Sequence, residues 1–304
     1  MDSLKDKRIL VTGGCGYVGN LLVKKLHELN AKVFVFDIAS QSEQIKDVVY
    51  YNVSLLNDDL LYKLTNQIKP QKIYHLAALL NRTRDYNTID KILDINLKGT
   101  NNLLRALKEI DYSSFIFTST SEVYGNQTKI PFKEDLAMQP TSPYSLSKAA
   151  AELSIQTYSN IYNKPYTILR LFNIYGPNML EYFFIPQLIN ALKENKDFDM
   201  TKGEQKRDFV FIDDVIDVLI NMTTNTNANN QIFNVCSGKS ISLRELALEI
   251  KKLIPSKAKI NFGAIPYRKN EIWNMLGSST KIKDILSLNI KIDLSEGLRR
   301  LIYD

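Results

Sequence analysis

The sequence predicts an α/β protein built on a doubly wound, mostly parallel sheet. Three observations carry this. A short apolar strand, Ile9-Leu10-Val11, runs into a glycine-rich turn and a helix. A second apolar run, Val33-Phe34-Val35-Phe36, ends on Asp37. Strand and helix patterns then keep alternating to about residue 173. Parallel neighbours need a crossover connection, so this alternation gives a parallel sheet with helices on its faces.

Each element follows from its pattern. The first helix has its apolar face at Val18, Leu21, Leu22, Leu26 and Leu29, at helical spacing. Lys72-Ile73-Tyr74-His75-Leu76 is a strand ending in Ala77-Ala78, and Ile92, Leu93, Ile95, Leu97, Leu103, Leu104 and Leu107 predict one helix over about 90–110. Ser114–Ser119 is the next strand. Pro143, suited to the first turn of a helix, opens one that runs to about Tyr162, and Tyr166–Leu171 is a further strand. Beyond residue 174 the segments shorten and are punctuated by Gly176-Pro177, Lys202-Gly203-Glu204, Pro255, Gly263 and Pro266, which predicts a smaller, mixed α/β lobe. The expected division places 1–173, with about 206–236, in the larger domain, and 174–205 with 237–304 in the lobe. The polar run Thr223–Asn230 reads as a surface loop, and no internal repeat is evident.

Composition narrows the class. The chain has 304 residues, 44% of them hydrophobic, enough for a large core. Its net charge of +6 comes from basic residues interleaved with acidic ones, as in Lys281-Ile282-Lys283-Asp284, so nucleic acid is not an expected partner. The two cysteines, Cys15 and Cys236, imply no disulfide framework, and no metal site is expected. Met1–Arg8 mixes charges without an apolar core, and no apolar run approaches a membrane span; a cytoplasmic protein without membrane insertion is the expectation.

The turn after the first strand reads Thr12-Gly13-Gly14-Cys15-Gly16-Tyr17-Val18-Gly19, and Asp37 follows eighteen positions after the last glycine. This is one βαβ unit with glycines where a pyrophosphate must approach backbone. Gly13 permits the tight turn, Gly16 lets phosphates reach backbone N–H groups at the positive end of the helix, and Gly19 lets the helix lie close on the sheet. Asp37 accepts from ribose hydroxyls and repels a 2′-phosphate, which favours NAD(H) over NADP(H). Further along, Tyr144 and Lys148 share one helical face. An ammonium beside a phenol favours phenolate, so such a tyrosine is able to exchange a proton with a sugar hydroxyl during hydride transfer.

The motifs together resemble the extended short-chain dehydrogenase/reductases of the NAD-dependent nucleotide-sugar epimerase/dehydratase family. Those that match are Thr12–Gly19, His75-Leu76-Ala77-Ala78, Asn96-Leu97-Lys98-Gly99-Thr100, Ser119-Thr120-Ser121-Glu122-Val123-Tyr124-Gly125, Tyr144 with Lys148, Arg170–Pro177 and Arg207–Val215, in the family's order over almost the whole chain. The resemblance implies a Rossmann sheet with a smaller C-terminal substrate-binding lobe. It implies Tyr144 as catalytic base and acid, Lys148 as its tuner and ribose ligand, Thr120 as hydrogen-bond partner of the reacting oxygen, and Glu122 as a further acid/base. The implied NAD contacts are Gly13, Gly16, Tyr17, Val18, Gly19, Asp37, Ile38, Asn52, Val53, Leu76, Ala77, Ala78, Asn96, Tyr144 and Lys148. The implied contacts to a nucleotide-diphosphate sugar are Ser121, Asn173, Arg207, Arg268 and Glu271.

Some positions depart from the family pattern. Asn52 stands where an aspartate often contacts the adenine, and a late motif reads Gly277-Ser278-Ser279-Thr280. His75 reads as a structural strand-end residue. The resemblance implies oxidation at sugar C4 to a 4-keto intermediate, followed by 4-epimerisation or 4,6-dehydration. Glu122 resembles the glutamate of dehydratases and decarboxylases, although epimerases carry one there too, whereas Phe262–Ile272 with Gly203–Phe209 resembles reductases of 4-keto sugars. A non-catalytic NAD(H) sensor is the alternative of another class, and retention of Thr120, Tyr144 and Lys148 speaks against it. The resemblance also implies a homodimer, pairing the helix after Asp90 with the helix of Tyr144; the apolar residues Leu146, Leu153, Ile155 and Ile161 of that helix fit either such a contact or core packing. It further implies a place in polysaccharide precursor biosynthesis.

Overall fold

A computed structural model describes residues 4–39, 44–81 and 83–303. Met1–Ser3 of the charged N-terminal segment thus lie outside the described residues. The strands are β1 (Arg8–Thr12), β2 (Lys32–Asp37), β3 (Val49–Asn52), β4 (Lys72–His75), β5 (Ser114–Thr120), β6 (Thr167–Leu171), β7 (Asn173–Tyr175), β8 (Phe198–Met200), β9 (Lys206–Phe211), β10 (Gln231–Val235), β11 (Ser240–Ser242), β12 (Ile260–Phe262) and β13 (Asn274–Met275). The helices are α1 (Tyr17–Glu28), α2 (Asp58–Ile68), α3 (Ile89–Leu93), α4 (Gly99–Ala106), α5 (Pro143–Tyr162), α6 (Phe184–Lys193), α7 (Ile212–Thr224), α8 (Leu243–Leu253), α9 (Thr280–Leu286) and α10 (Leu294–Tyr303).

The expected doubly wound sheet is present. Seven strands run in the order β10-β6-β5-β4-β1-β2-β3. The β1/β2, β1/β4, β2/β3 and β4/β5 pairs are all parallel. The winding reverses between β1 and β4, and in open sheets of this kind the ligand crevice lies beyond the carboxyl ends of the strands at that switch point. Every residue of β4 and β5 is buried, as expected for central parallel strands covered on both faces. Leu10, Phe36, Ile73, Leu103, Phe115, Phe117, Ile155 and Ile168 belong to one apolar core.

The chain divides into two compact units. The first is Met1–Val123, Met138–Arg170 and Ile216–Phe233; the second is Tyr124–Ala137, Leu171–Val215 and Asn234–Asp304. The second unit holds the mixed sheet β11-β9-β13, with β7 also on β9, and the pair β12-β8. β11 is antiparallel to β9, whereas β7 and β13 are parallel to it.

Two local expectations are corrected and one alternative is decided. The helix expected over about 90–110 is α3, a π-helical turn over Asp94–Lys98, and α4. The widened turn coincides with Asn96, whose side chain bonds the backbone of Leu79, and with Gly99, where a Cβ would meet the Leu55 Cβ at 2.9 Å. The polar run from Thr223 does not begin as a surface loop. Thr223 is buried in the last turn of α7, and its hydroxyl donates to Tyr74 Oη and to the Leu219 carbonyl. Ile155 lies in the core, while Leu146, Leu153 and Ile161 are exposed, because α5 turns only one face to the sheet.

Candidate active site

The glycine turn is shaped by backbone crowding. Gly13 has φ +75°, and a Cβ there would lie 2.6 Å from the Ala77 nitrogen. A Cβ on Gly19 would lie 2.0 Å from the Gly13 carbonyl oxygen, so α1 seats directly on the turn. Gly16 differs: its Cβ would meet only that same oxygen, at 3.3 Å. Gly16 is also the N-cap of α1, and no side chain caps the helix there. The first N–H groups of α1 therefore face an open approach that a side chain at position 16 would fill, which fits an anionic pyrophosphate. Tyr17 and Val18, the next two residues, are half-buried on the first turn of α1.

Asp37 is tied to this turn. Its Oδ2 accepts from the Cys15 N–H and its Oδ1 from the Ala39 N–H, both at 2.9 Å. Gly13 N–H donates to the Phe36 carbonyl at 2.9 Å. The carboxylate retains lone pairs for ribose hydroxyls. Ile38 is exposed, Val53 is buried with its N–H on the Asp37 carbonyl, and Asn52 donates to the Ile38 carbonyl at 3.0 Å. These residues fit a dinucleotide.

His75, at the end of β4, is fully buried between two threonines. Its Nδ1 is 2.7 Å from Thr12 Oγ1 and its Nε2 2.8 Å from Thr100 Oγ1. Thr100 donates its own hydroxyl proton to the Asn96 carbonyl at 2.5 Å, so the ring donates through Nε2–H and accepts at Nδ1. Burial holds its pKa down to about 3, with the nearby Lys148 charge acting in the same direction. His75 is a neutral structural link, as its sequence position suggests. The following Leu76, Ala77 and Ala78 are half-buried, and Ala77 N–H reaches Thr12 Oγ1 at 3.4 Å. Asn96 fixes the next stretch: Oδ1 accepts from Leu79 N–H at 2.6 Å, and Nδ2 donates to Ser147 Oγ at 2.9 Å.

β5 ends on Thr120, and a 3₁₀ turn over Ser121–Tyr124 follows. Thr120 Oγ1 accepts from the Glu122 N–H at 3.2 Å; Ser121 is buried and Glu122 half-buried. Ser142 caps α5 in a reciprocal box with Ser145, and Pro143 opens its first turn. Tyr144 and Lys148 follow on one face of α5, both of them buried. Lys148 Nζ sits 4.3 Å from the Phe117 ring centroid. Burial pulls the Lys148 pKa down to about 7, against the raising effect of Glu152.

The remaining expected residues lie in the second unit. Asn173 Nδ2 donates to the Asp208 carbonyl at 3.1 Å. Arg207 Nη2 is 2.6 Å from Glu271 Oε1, and its Nη1 donates to the Ile272 carbonyl at 2.7 Å. Arg207 and Glu271 are thus brought together as a mostly buried ion pair, whereas Arg268 is exposed. Asp208, beside Arg207, is fully buried and accepts from Ser237 N–H, Ser237 Oγ and Gly238 N–H at 2.8, 2.6 and 3.0 Å. In the departing late motif, a Cβ on Gly277 would lie 2.6 Å from Cys236 Sγ.

Sequence reasoning did not single out Thr12, Thr100, Ser119, Ser147, Glu152 or Arg170 as working residues. Helical spacing offered a signal for two of them, since Thr100 follows Asn96, and Glu152 follows Lys148, by one turn. The others are joined to the site by tertiary hydrogen bonds that no local pattern encodes.

The fold and these constellations define a class: an NAD-dependent enzyme whose dinucleotide turn and Tyr–Lys helix sit in one α/β unit. Comparison with known proteins is in accord. The model of the NAD dependent epimerase/dehydratase family matches residues 9–236. A Methanocaldococcus jannaschii protein provisionally named UDP-glucose 4-epimerase is 30% identical over 97% of both chains. The dTDP-D-glucose 4,6-dehydratase of Dictyostelium discoideum is 30% identical over 82% of this chain and 62% of its own length. The crystal structure of a Thermotoga maritima UDP-glucose 4-epimerase with UDP-glucose is 26% identical, with a TM-score of 0.91 and 97% of each chain covered. The chain therefore belongs to the NAD-dependent epimerase/dehydratase family of nucleotide-sugar enzymes. Among the described residues, no helix is long and apolar enough to cross a membrane.

Proposed function

We propose that the protein is a 4-epimerase of a UDP-linked hexose. The observation that carries this choice is end-to-end coverage. The chain matches a UDP-glucose 4-epimerase structure over 97% of both chains, but covers from 62% to 74% of the length of the 4,6-dehydratase relatives it matches.

In this reading the glycine turn and Asp37 hold NAD, with Tyr17, Val18, Ile38, Asn52, Val53, Leu76, Ala77, Ala78 and Asn96 lining its path. NAD, when bound, supplies the acceptor and donor of the sugar C4 hydrogen. Tyr144 Oη takes the proton of the C4 hydroxyl and later returns it. The Lys148 ammonium favours the phenolate form of Tyr144 and binds the nicotinamide ribose. Thr120 Oγ1 hydrogen-bonds the C4 oxygen, as hydroxyl and as ketone, and Ser121 and Asn173 contact the sugar. The second unit serves as the nucleotide-sugar lobe: Arg207 and Arg268 hold the diphosphate, where a planar guanidinium matches two oxygens at once, and Glu271 accepts from the nucleotide ribose. Two copies pair through the exposed α5 residues Leu146, Leu153 and Ile161, together with the α3 region.

One observation favours a second reading, 4,6-dehydration. Glu122 is half-buried two residues after Thr120, and its backbone N–H is bonded to the Thr120 hydroxyl, which supports it as an acid/base candidate. Kinetics of Tyr144→Phe, Lys148→Ala and Glu122→Gln on UDP-hexoses test both. Epimerisation requires Tyr144 and Lys148, with kcat falling at least a hundredfold in each variant, and tolerates Glu122→Gln. Full turnover by Tyr144→Phe would refute the enzymatic assignment of that residue.

A further inference from the structure

Beneath Lys148 lies a charged network that the proposed reaction does not use. Glu152, one turn further along α5, is fully buried, and Arg170 on β6 is 2% exposed. Arg170 Nε lies 3.1 and 3.2 Å from the two carboxylate oxygens, and Nη2 lies 2.8 Å from Oε2. Ser119 Oγ, the side chain immediately before Thr120, donates to Glu152 Oε1. One carboxylate thus binds the carboxyl ends of β5 and β6 to the helix that carries Tyr144 and Lys148.

The charge inventory is unbalanced. Among the described residues, the buried cations Lys148 and Arg170 both interact with the buried Glu152 carboxylate. Among the described residues, His75 on β4, which is neutral, also acts on Lys148, Tyr144 stands one turn before it on α5, and β5 presents the uncharged Phe117 ring to its ammonium. A buried ion pair is a weak source of net stability and is replaceable by neutral groups of similar volume, so stability alone does not account for this one. We propose that Glu152 is a positioning residue: it fixes the strand end bearing Thr120 against the Tyr144–Lys148 face and supplies the negative charge that the buried Lys148 ammonium faces. The inference rests on the roles given above to Thr120, Tyr144 and Lys148.

The charge half is read without turnover. Selective ¹⁵N-lysine labelling, with Lys148→Arg to assign the resonance, gives the Lys148 Nζ titration directly. In the wild type it falls near 7. The double variant Glu152→Gln/Arg170→Gln replaces the ion pair by a neutral amide pair and leaves the net charge unchanged. We expect its Lys148 titration to fall by about one unit, a tenfold change in the protonated-to-neutral ratio, and the alkaline limb of turnover to move with it. Glu152→Asp, which keeps the charge, restores the wild-type titration. Ser119→Ala removes one neutral hydrogen bond and leaves every charge in place, so it keeps the inference testable if the double variant does not fold. We expect kcat to fall severalfold in Ser119→Ala, with KM and NAD affinity unchanged. A folded double variant with the wild-type Lys148 titration overturns the proposal, and so does a Ser119→Ala enzyme with wild-type kcat. If the titration shifts as stated while the wild type turns over no nucleotide sugar, the positioning role stands and the functional reading falls.

Discussion

The Cys15 N–H donates to Asp37 Oδ2 at 2.9 Å, joining the glycine turn to the acidic end of the neighbouring strand. Asp37 therefore shapes the turn in addition to the ribose contact proposed for it. Asp37→Ala removes both functions at once. We expect the Kd for NAD to rise at least tenfold and the preference over NADP to shrink, since the repelling carboxylate is gone. Isothermal titration with both cofactors checks this; an unchanged NAD affinity would remove Asp37 from the site.

Two glycines of one turn separate folding from binding. Alanine at position 19 would force its Cβ to 2.0 Å from the Gly13 carbonyl oxygen, and backbone has little room to yield. We expect Gly19→Ala to lose about 3 kcal/mol of stability together with NAD binding. Gly16→Ala meets a single atom at 3.3 Å. It is expected to unfold within a few degrees of the wild type yet bind NAD at least tenfold more weakly. Thermal melts with and without NAD distinguish the two; equal behaviour of the variants would contradict the distinction drawn here.

His75 gives an acid-stability signature. Its folded pKa, about 3, lies below the ordinary 6.5, so the unfolded chain binds more protons between these values. Stability then rises with pH through that window and is lost as pH falls from about 6.5 toward 3. A His75→Gln variant keeps hydrogen-bonding capacity without a titratable ring. Denaturant unfolding at pH 7 and pH 4.5 should show a smaller pH penalty in the variant than in the wild type. Equal penalties would exclude His75 as its source.

Lys148 is expected to trade stability for function. Its pKa is lowered from 10.5 to about 7, so the folded chain binds fewer protons than the unfolded one between those values. Its burial cost is largest at and below pH 7 and fades as pH rises toward 10.5. Lys148→Met should therefore raise the thermal midpoint by several degrees at pH 7, by less at pH 9, and abolish turnover. A variant less stable than the wild type at pH 7 would contradict this.

How much of this was legible in the sequence follows from the range of each interaction. The βαβ unit from Ile9 to Asp37 is written in local periodicity and glycine placement, and α5 appears with its bounds because Ser142-Pro143 caps a long periodic run. Periodicity predicts a regular helix over about 90–110, whereas the π turn there coincides with Asn96 reaching Leu79 and with Gly99 abutting Leu55, contacts made across the fold. Ile155 fits a dimer contact or the core by sequence alone and lies in the core, because periodicity gives an apolar stripe without saying what covers its margin. The pairing of Arg207 with Glu271 and of Glu152 with Arg170 joins residues from different elements, beyond any local pattern.

The central claim is that hydrogen leaves sugar C4 and returns to the same carbon with inversion. UDP-glucose deuterated at C4, incubated with the purified protein and NAD and examined by proton NMR and mass spectrometry, tests it most directly. We expect UDP-galactose of unchanged mass that retains deuterium at C4. Loss of one water with deuterium at C6 would contradict epimerisation and assign the chain to the dehydratases.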